Sequence, residues 1–388
     1  MSNTISPYDP IFYAQFGLQQ LEKSLGLASR IYRGIDKDPQ QPGSIIQLRR
    51  PGTFTAVAAP NVTPQDLVPE SIQVTLDQWF EVKFALTDKE LNYTQEQIIA
   101  DHIRPAAVAL ADKIDQSLIT LVKRYPYFNT VTLSSAAVTD ILAARKQLFN
   151  NRVPMDNLHM MIDGALEEKF LALAAFSQYQ GAGDTGVSTQ GRGTLGTKFG
   201  FEIFANQNVN TFTSGTCADT TGAIDYGSGT TAVYAKGATT IHIDALTSGG
   251  TANAGDILSI TGDPYQYMIT ADTTFTSGEA DVVIEPGLMQ AVDENTVVTL
   301  LQPGGNAATR TQNFAFHRDA MVLAMAPLST LGNQLGAKVE SVTDPITGLS
   351  LRSRMYYDGN NSKTYVCLDV LYGIKVLNNH MGTRLMAA

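Results

Sequence analysis

The sequence predicts an α+β fold with a small all-β barrel domain inserted into it. Three observations carry that expectation: a sharp step in charge, a series of short β-rich runs inside the same window, and one long helical stripe outside it. Lys and Arg number 27 and Asp and Glu 37 over 388 residues, for a net charge of −10. The window Thr211–Gly305 holds eleven of the acids and one base, Lys236, so it carries the whole net charge. The remainder is balanced at 26 of each sign. A compositional step of that kind is how an inserted domain reads.

Inside the window, Thr231–Ala235, Ile241–Ala245, Asp256–Ile260, Tyr265–Thr270, Asp281–Glu285 and Thr296–Leu301 are β-rich runs. Turn signals separate them: Gly249-Gly250, Gly262-Asp263-Pro264, Ser277-Gly278 and Asp293-Glu294. Short strands at that spacing read as a small barrel or sandwich. Alternation, as in Ile241-His242-Ile243-Asp244, buries one face and leaves an acidic, solvated one.

The rest of the chain gives its elements in order. Ser6–Leu25 is an amphipathic helix with Pro10 in its first turn and Gly26 as its stop. Gly43–Thr75 is extended or a hairpin, with bends at Arg49-Arg50-Pro51-Gly52 and Ala59-Pro60-Asn61, and Ser71–Leu86 returns as a strand. An excursion with no core of its own is normally a loop that contacts something else. Thr94–Arg124 is the strongest helix, with Thr94 and Gln97 in capping-box spacing and Pro105 expected to kink it or begin a second segment. Ala136–Phe149 is a helix, Leu158–Ile162 a buried strand, Leu166–Ala175 a helix, Gln178–Gly196 a Gly-rich flexible loop and Phe199–Phe204 a strand. After the window, Phe314–Leu328 carries a small apolar stretch. Lys338–Val342 and Leu349–Tyr357 form a hairpin about Asp344–Gly348. Thr364–Leu377 is a closing strand pair or strand–helix.

Several function classes are disfavoured. An acidic chain lacks the basic face that phosphate neutralisation needs. Cys217 and Cys367 stand 150 positions apart and build no metal or disulfide framework. The N-terminus has no signal-peptide pattern and the chain no apolar run of about 18 residues. Gly191-Arg192-Gly193-Thr194-Leu195-Gly196 matches a dinucleotide-loop spacing but should be followed by a strand, where that motif needs a helix N-terminus. The five histidines show no metal-ligand spacing, and His317-Arg318-Asp319 reads as structural hydrogen bonding. No catalytic, cofactor-binding or metal-binding residues are expected.

The order of parts resembles the major capsid (coat) proteins of tailed bacteriophages, the Hong Kong 97-type fold, and most closely the coat proteins of short-tailed phages that carry an inserted β-barrel. Pro105–Asp115 (PAAVALADKID) looks like the spine helix of that family. Asn313–Met321 (NFAFHRDAM) looks like the segment after the insert, and Leu371–Leu377 (LYGIKVL) like the closing stretch. The resemblance implies an N-terminal arm over 1–45, an extended loop with flanking strands over 46–93, and the peripheral-domain spine helix over 94–129. It implies axial-domain parts at 130–210 and 306–335, the acidic barrel at 211–305, and a peripheral hairpin with C-terminal strands over 336–388.

The implied function is self-assembly into an icosahedral head that encloses double-stranded DNA without sequence-specific binding. The implied partners are copies of the chain in pentamers and hexamers, a scaffolding protein and a portal. The implied location is the virion capsid, assembled in the host cytoplasm, with no membrane involved. No Lys–Asn cross-linking pair is marked, so a non-covalent shell is expected. Candidate inter-subunit contacts are Phe12 and Phe16 on the arm, Arg49 and Arg50 at the bend, and Trp79, Phe80 and Phe84 where the loop returns, since aromatics dominate interface energetics. Each aromatic has the alternative role of filling the subunit's own core. The rival function is a phage surface or tail binding module whose working part is the acidic β-insert.

Overall fold

A computed structural model describes residues 10–24, 26–33, 45–50, 70–87, 95–178, 193–218, 220–225, 233–332, 336–343 and 349–388, with side chains left out at 10–13, 22–24, 49–50, 70 and 95–101. The chain is α+β and folds as two units. One comprises Met1–Asp115 and Met321–Leu377, the other Gln116–Ala320 and Asn378–Ala388.

The first unit is built on a five-stranded sheet. Lys363–Val376 is its central strand, fourteen residues long. It pairs with Met321–Ala326, Ser350–Asp358 and Gln78–Thr87, and Ser350–Asp358 pairs in turn with Lys338–Thr343. The expected closing strand pair or strand–helix is therefore one continuous strand. The hairpin expected over Lys338–Val342 and Leu349–Tyr357 forms, while its turn lies outside the described residues.

The arm helix, Pro10–Ser24, packs on the strands of that hairpin. Ala14, Leu18 and Leu21 are buried. Gly17 permits the approach, because a Cβ there would stand 2.7 Å from Leu351 Cδ2. The long helix Gln95–Ile119 passes through Pro105 as one element. Pro105 is exposed and stands inside this helix, so no second segment begins there.

The return of the excursion is two strands where one was expected. Glu70–Thr75 pairs antiparallel with Ile45–Arg50, whereas Gln78–Thr87 joins the large sheet. The chain changes partner at Leu76-Asp77, with Leu76 buried beside Ile46, Val74, Val322 and Leu371. The bends at 51–52 and 59–61 lie outside the described residues.

The second unit contains a sheet in the order Phe128–Val131, Gly382–Ala387, Thr309–His317, Leu158–Ile162, Phe201–Ala205, Gly196–Lys198. Thr211–Thr213 pairs with Thr309–Thr311. The helices Val138–Asn150 and Gly164–Ala172 bury Ile141, Ala144, Leu148, Leu166 and Phe170 in the core of this unit. Asp163 caps the second helix by accepting a hydrogen bond from Leu166 N–H at 3.2 Å.

Between the paired strands Thr211–Thr213 and Thr309–His317 the chain leaves to form a closed six-stranded barrel. Its order is Thr240–Asp244, Ala280–Glu285, Gln266–Ile269, Ile257–Ile260, Val297–Leu301, Thr221–Asp225. Closure pairs every edge, which removes the exposed strand edge of an open sheet. Ile241, Ile243, Val282, Ile284, Val298 and Leu300 point inward around Tyr267 and Phe275. The two ends meet at the mouth, where Ser214 Oγ donates to Pro303 O at 3.0 Å and Gln302 Nε2 to Gly215 O at 2.9 Å. Five of the six runs read from the sequence supply barrel strands. Val233–Tyr234 instead pairs with Val292–Asp293 off the barrel, and Thr221–Asp225 closes the ring.

Candidate assembly surfaces and their buried anchors

In the first unit, one carboxylate ties the end of the arm to the long helix. Asp115 is buried on the apolar stripe of that helix. Its Oδ2 accepts from Gly26 N–H at 2.8 Å and Leu27 N–H at 3.2 Å, and its Oδ1 from Ala28 N–H at 3.0 Å. These are the free N–H groups that open the short 3₁₀ turn Leu27–Ser29, which a carboxylate satisfies best. Burial raises the Asp115 pKa, and the three N–H donors pull it back.

The strand Gln78–Thr87 separates its aromatics by alternation. Phe80, Val82, Phe84 and Leu86 lie on one face. Phe80 stacks on Tyr372 with ring centroids 5.8 Å apart and has Lys113 Nζ 5.1 Å above it. Phe84 lies 5.7 Å from His102. Trp79, on the other face, is 56% exposed, with the Arg352 guanidinium 6.0 Å from its ring.

Beside Trp79 runs a ladder of charge. Arg352 forks onto the wholly buried Asp369, Nε to Oδ1 at 3.0 Å, and Arg354 bonds Glu81. Lys83 bonds the Tyr356 hydroxyl and sits 4.2 Å above the Tyr365 ring. Phe16 is half-buried on the arm helix. The side chains of Phe12, Arg49 and Arg50 lie outside the described residues.

In the second unit, the barrel is fastened to the sheet by a buried arginine. Arg384, on the strand Gly382–Ala387, is fully buried, donates from Nη2 to Gly255 O at 2.8 Å and lies 5.6 Å from the Phe212 ring. Gly255 has φ +116, and a Cβ there would meet Phe212 at 2.7 Å, so the barrel loop reaches the arginine only as glycine. Asp256, next along, accepts from Asn253 N–H at 2.8 Å and Gly215 N–H at 2.9 Å, closing the mouth of the barrel. Burial pushes the Asp256 carboxyl up to about 6 and pulls the Arg384 guanidinium down to about 10, while their mutual attraction opposes both shifts.

Asp263 is the second buried acid of the barrel. It accepts from the Tyr267 hydroxyl, which accepts in turn from Met289 N–H at 3.0 Å. Burial and the Asp263 carboxylate hold the Tyr267 pKa well above the usual phenol range. The expected solvated acidic face is thus corrected at two positions, because Asp256 and Asp263 close loops from inside. Asp272, Glu279, Asp281 and Asp293 are exposed.

His317 is buried, and its Nδ1 accepts from Asp319 N–H at 3.2 Å at the end of its strand. Gly196 opens a strand antiparallel to Phe201–Ala205, so a strand and not a helix follows the glycine motif, whose residues 191 and 192 lie outside the described residues. The sequence reading missed Asp115, Asp256, Asp369 and Arg384. Only Asp115 carried a local signal, as a lone acid between Ala111, Ile114 and Leu118 on an apolar stripe.

No protein-family model matches the chain, and no curated protein sequence matches it. Among solved structures, the chain is similar to one from Mycobacterium phage Che8, at 12% identity and a TM-score of 0.48, covering 93% of this chain and 90% of that one. It is similar to the capsid structure of the cyanophage P-SCSP1u, at 12% identity and a TM-score of 0.48, covering 90% and 85%. It is also similar to a virus-like particle from Pyrococcus furiosus, at 9% identity and a TM-score of 0.43, covering 96% and 97%. At these scores the likenesses leave the function to be argued from the chain itself.

Proposed function

We propose that this chain is the major capsid protein of a tailed bacteriophage, of the Hong Kong 97-type fold, and that copies of it form the icosahedral head around double-stranded DNA. The observation that carries the reading is the order of parts. An arm helix, an excursion that returns as a hairpin, a long helix and a sheet interrupted between two adjacent strands by a closed acidic barrel follow one another in the order that the sequence resemblance implies. The motifs that hinted at chemistry support a non-enzymatic role, since His317 caps a turn and the glycine motif leads into a strand.

In this reading the arm is 1–45, the extended loop with its strands 46–93, the spine region 94–129, the axial domain 130–210 with 306–335, the inserted barrel 211–305 and the closing peripheral part 336–388. Contacts repeat around five- and six-fold rings. Trp79, exposed beside its ladder of charge, is the aromatic best placed to meet a neighbour. Phe80 and Phe84 also brace the subunit's own sheet. A balanced body with an acidic insert holds DNA without a basic lining that would grip it. The barrel faces outward or between capsomers, the shell is non-covalent, and it exists in an immature and an expanded form. Scaffolding protein and portal are the partners during assembly in the host cytoplasm.

The test is expression in a bacterial cytosol, alone and with a neighbouring scaffold-like reading frame, followed by sedimentation and negative-stain electron microscopy. Uniform closed shells are the expected result. A discrete monomer in both preparations would overturn the proposal.

A further inference from the structure

We propose that the outer face of the helix Val138–Asn150 is a docking surface for the acidic barrel of a second copy of this chain. The inference rests on the shell reading only for supplying many copies side by side. The inner face of the helix is spent on the core through Ile141, Ala144 and Leu148. Its outer face carries Leu142, 43% exposed, and Phe149, 67% exposed, with Arg145 and Lys146 between them. At spacings of three, four and seven these four side chains share one side of the helix. With Met155 they line a shallow cavity of about 470 Å³. Arg145 is held in place by donating from Nη1 to Phe199 O at 2.7 Å. Lys146 makes no ion pair among the described residues.

Leu142 and Phe149 are apolar side chains on one open helix face with a cavity between them, which suits this face to a partner. The lysine and arginine between them select a cover that interleaves acids with apolar side chains. The charge arithmetic identifies one within this chain. Outside Thr211–Gly305 acids and bases balance, and that window carries a net −10. The barrel strand Ala280–Glu285 alternates, with Asp281 and Val283 exposed and Val282 and Ile284 buried. Glu279 precedes it, also exposed, and His242 lies against both acids, 2.8 Å from Asp281 Oδ1 and 3.9 Å from Glu279 Oε2, leaving the strip acidic by one charge or more. An apolar–acidic strip thus exists to meet an apolar–basic helix face, and such complementarity sets register and orientation more than raw affinity. A DNA duplex keeps its base faces stacked inside and presents mainly phosphate and sugar, a poor cover for Leu142 and Phe149.

The test mixes isotope-heavy and isotope-light chains, assembles them, and treats the product with a zero-length carboxyl–amine cross-linker. Heavy–light peptides joining Lys146 to Glu279 or Asp281 are expected. Lys146→Glu is expected to raise the concentration needed for assembly about tenfold, and Asp281→Lys in the same chain to restore it, with circular dichroism showing all variants folded. Cross-links of Lys146 confined to its own copy, including to 179–192, or made only to another protein, would overturn the proposal. So would contact with nucleic acid in their place, or unchanged assembly of Lys146→Glu. If the unmodified chain forms no shell, the function reading falls by itself, and cross-linking of the concentrated soluble chain still decides this contact, heavy–light links supporting it and their absence overturning it.

Discussion

The barrel and the arm-and-hairpin region are held in place by different physics. The barrel closes on itself, so each strand has two neighbours and its inward residues form a core of their own. Its ends meet at Ser214 and Pro303. The hairpin Ile45–Arg50 with Glu70–Thr75 is two strands only, and its apolar residues are buried by Val322, Ala324 and Leu371 of the sheet. The segment after the first helix is likewise held from outside: Asp115 accepts from Gly26, Leu27 and Ala28 N–H, and Tyr32 N–H bonds Met321 O at 3.3 Å. A region with its own core tolerates being moved as a block. A region without one takes its core from its neighbours, so its order depends on those contacts staying in place.

The largest effect should separate the two regions outright. The excised segment Ser214–Pro303 is expected to fold alone with a cooperative thermal transition and dispersed amide resonances, whereas a 45–75 peptide is expected to give random-coil spectra. A disordered 214–303 fragment would break the comparison.

Next in size is Asp115→Ala. It leaves three N–H groups without their acceptor and is expected to cost roughly 3 kcal/mol, from the penalty for stranding buried donors of a charge-assisted bond. Hydrogen exchange should accelerate over residues 26–31 and stay unchanged in the barrel. Asp115→Asn, which keeps one acceptor oxygen, should lie between.

The third effect concerns pH at the barrel mouth. Burial pushes the folded Asp256 carboxyl up to about 6, against an ordinary value of 3.8. Between those pH values the folded state binds the extra proton. The contribution of this group is therefore present at the acid end and lost as pH rises through about 6. Asp256→Asn should remove that slope. The variant should be more stable than the parent at pH 7 by on the order of 2 kcal/mol and equal to it near pH 4, read by urea unfolding at each pH. Parallel curves for the two chains would refute the assignment.

The smallest is Tyr267→Phe, which leaves Met289 N–H and Asp263 short of a partner inside the barrel and is expected to cost about 1–2 kcal/mol. Its effect should be confined to the barrel transition.

Much of the fold was legible from local pattern. Leu158–Ile162 was readable because five apolar-rich residues between turn signals are too few for a helix and enough for a buried strand, and Val138–Asn150 because its stripe keeps helical spacing. Thr221–Asp225 was not, since Thr-Gly-Ala-Ile-Asp has one bulky apolar side chain and earns its place as the closing strand from partners at Ala223↔Val297 and Ile224↔Ile243. Thr231–Ala235 had the better β composition, and Val233–Tyr234 nevertheless pairs off the barrel with Val292–Asp293, because ring closure is decided by register and not by propensity. The excursion's return read as one strand because nothing in Ser71–Leu86 marks the change of partner at Leu76-Asp77.

The sequence by itself determined most of the elements and the sign of the charge over Thr211–Gly305, since periodicity, turn chemistry and composition act over a few residues at a time. The anchors belong to the tertiary structure alone. Asp115 meets backbone 87 to 89 positions away and Arg384 meets Gly255 across 129. Which acid is buried as a fastening and which stays in water depends on what the fold brings against it, and no local pattern encodes a neighbour that distant.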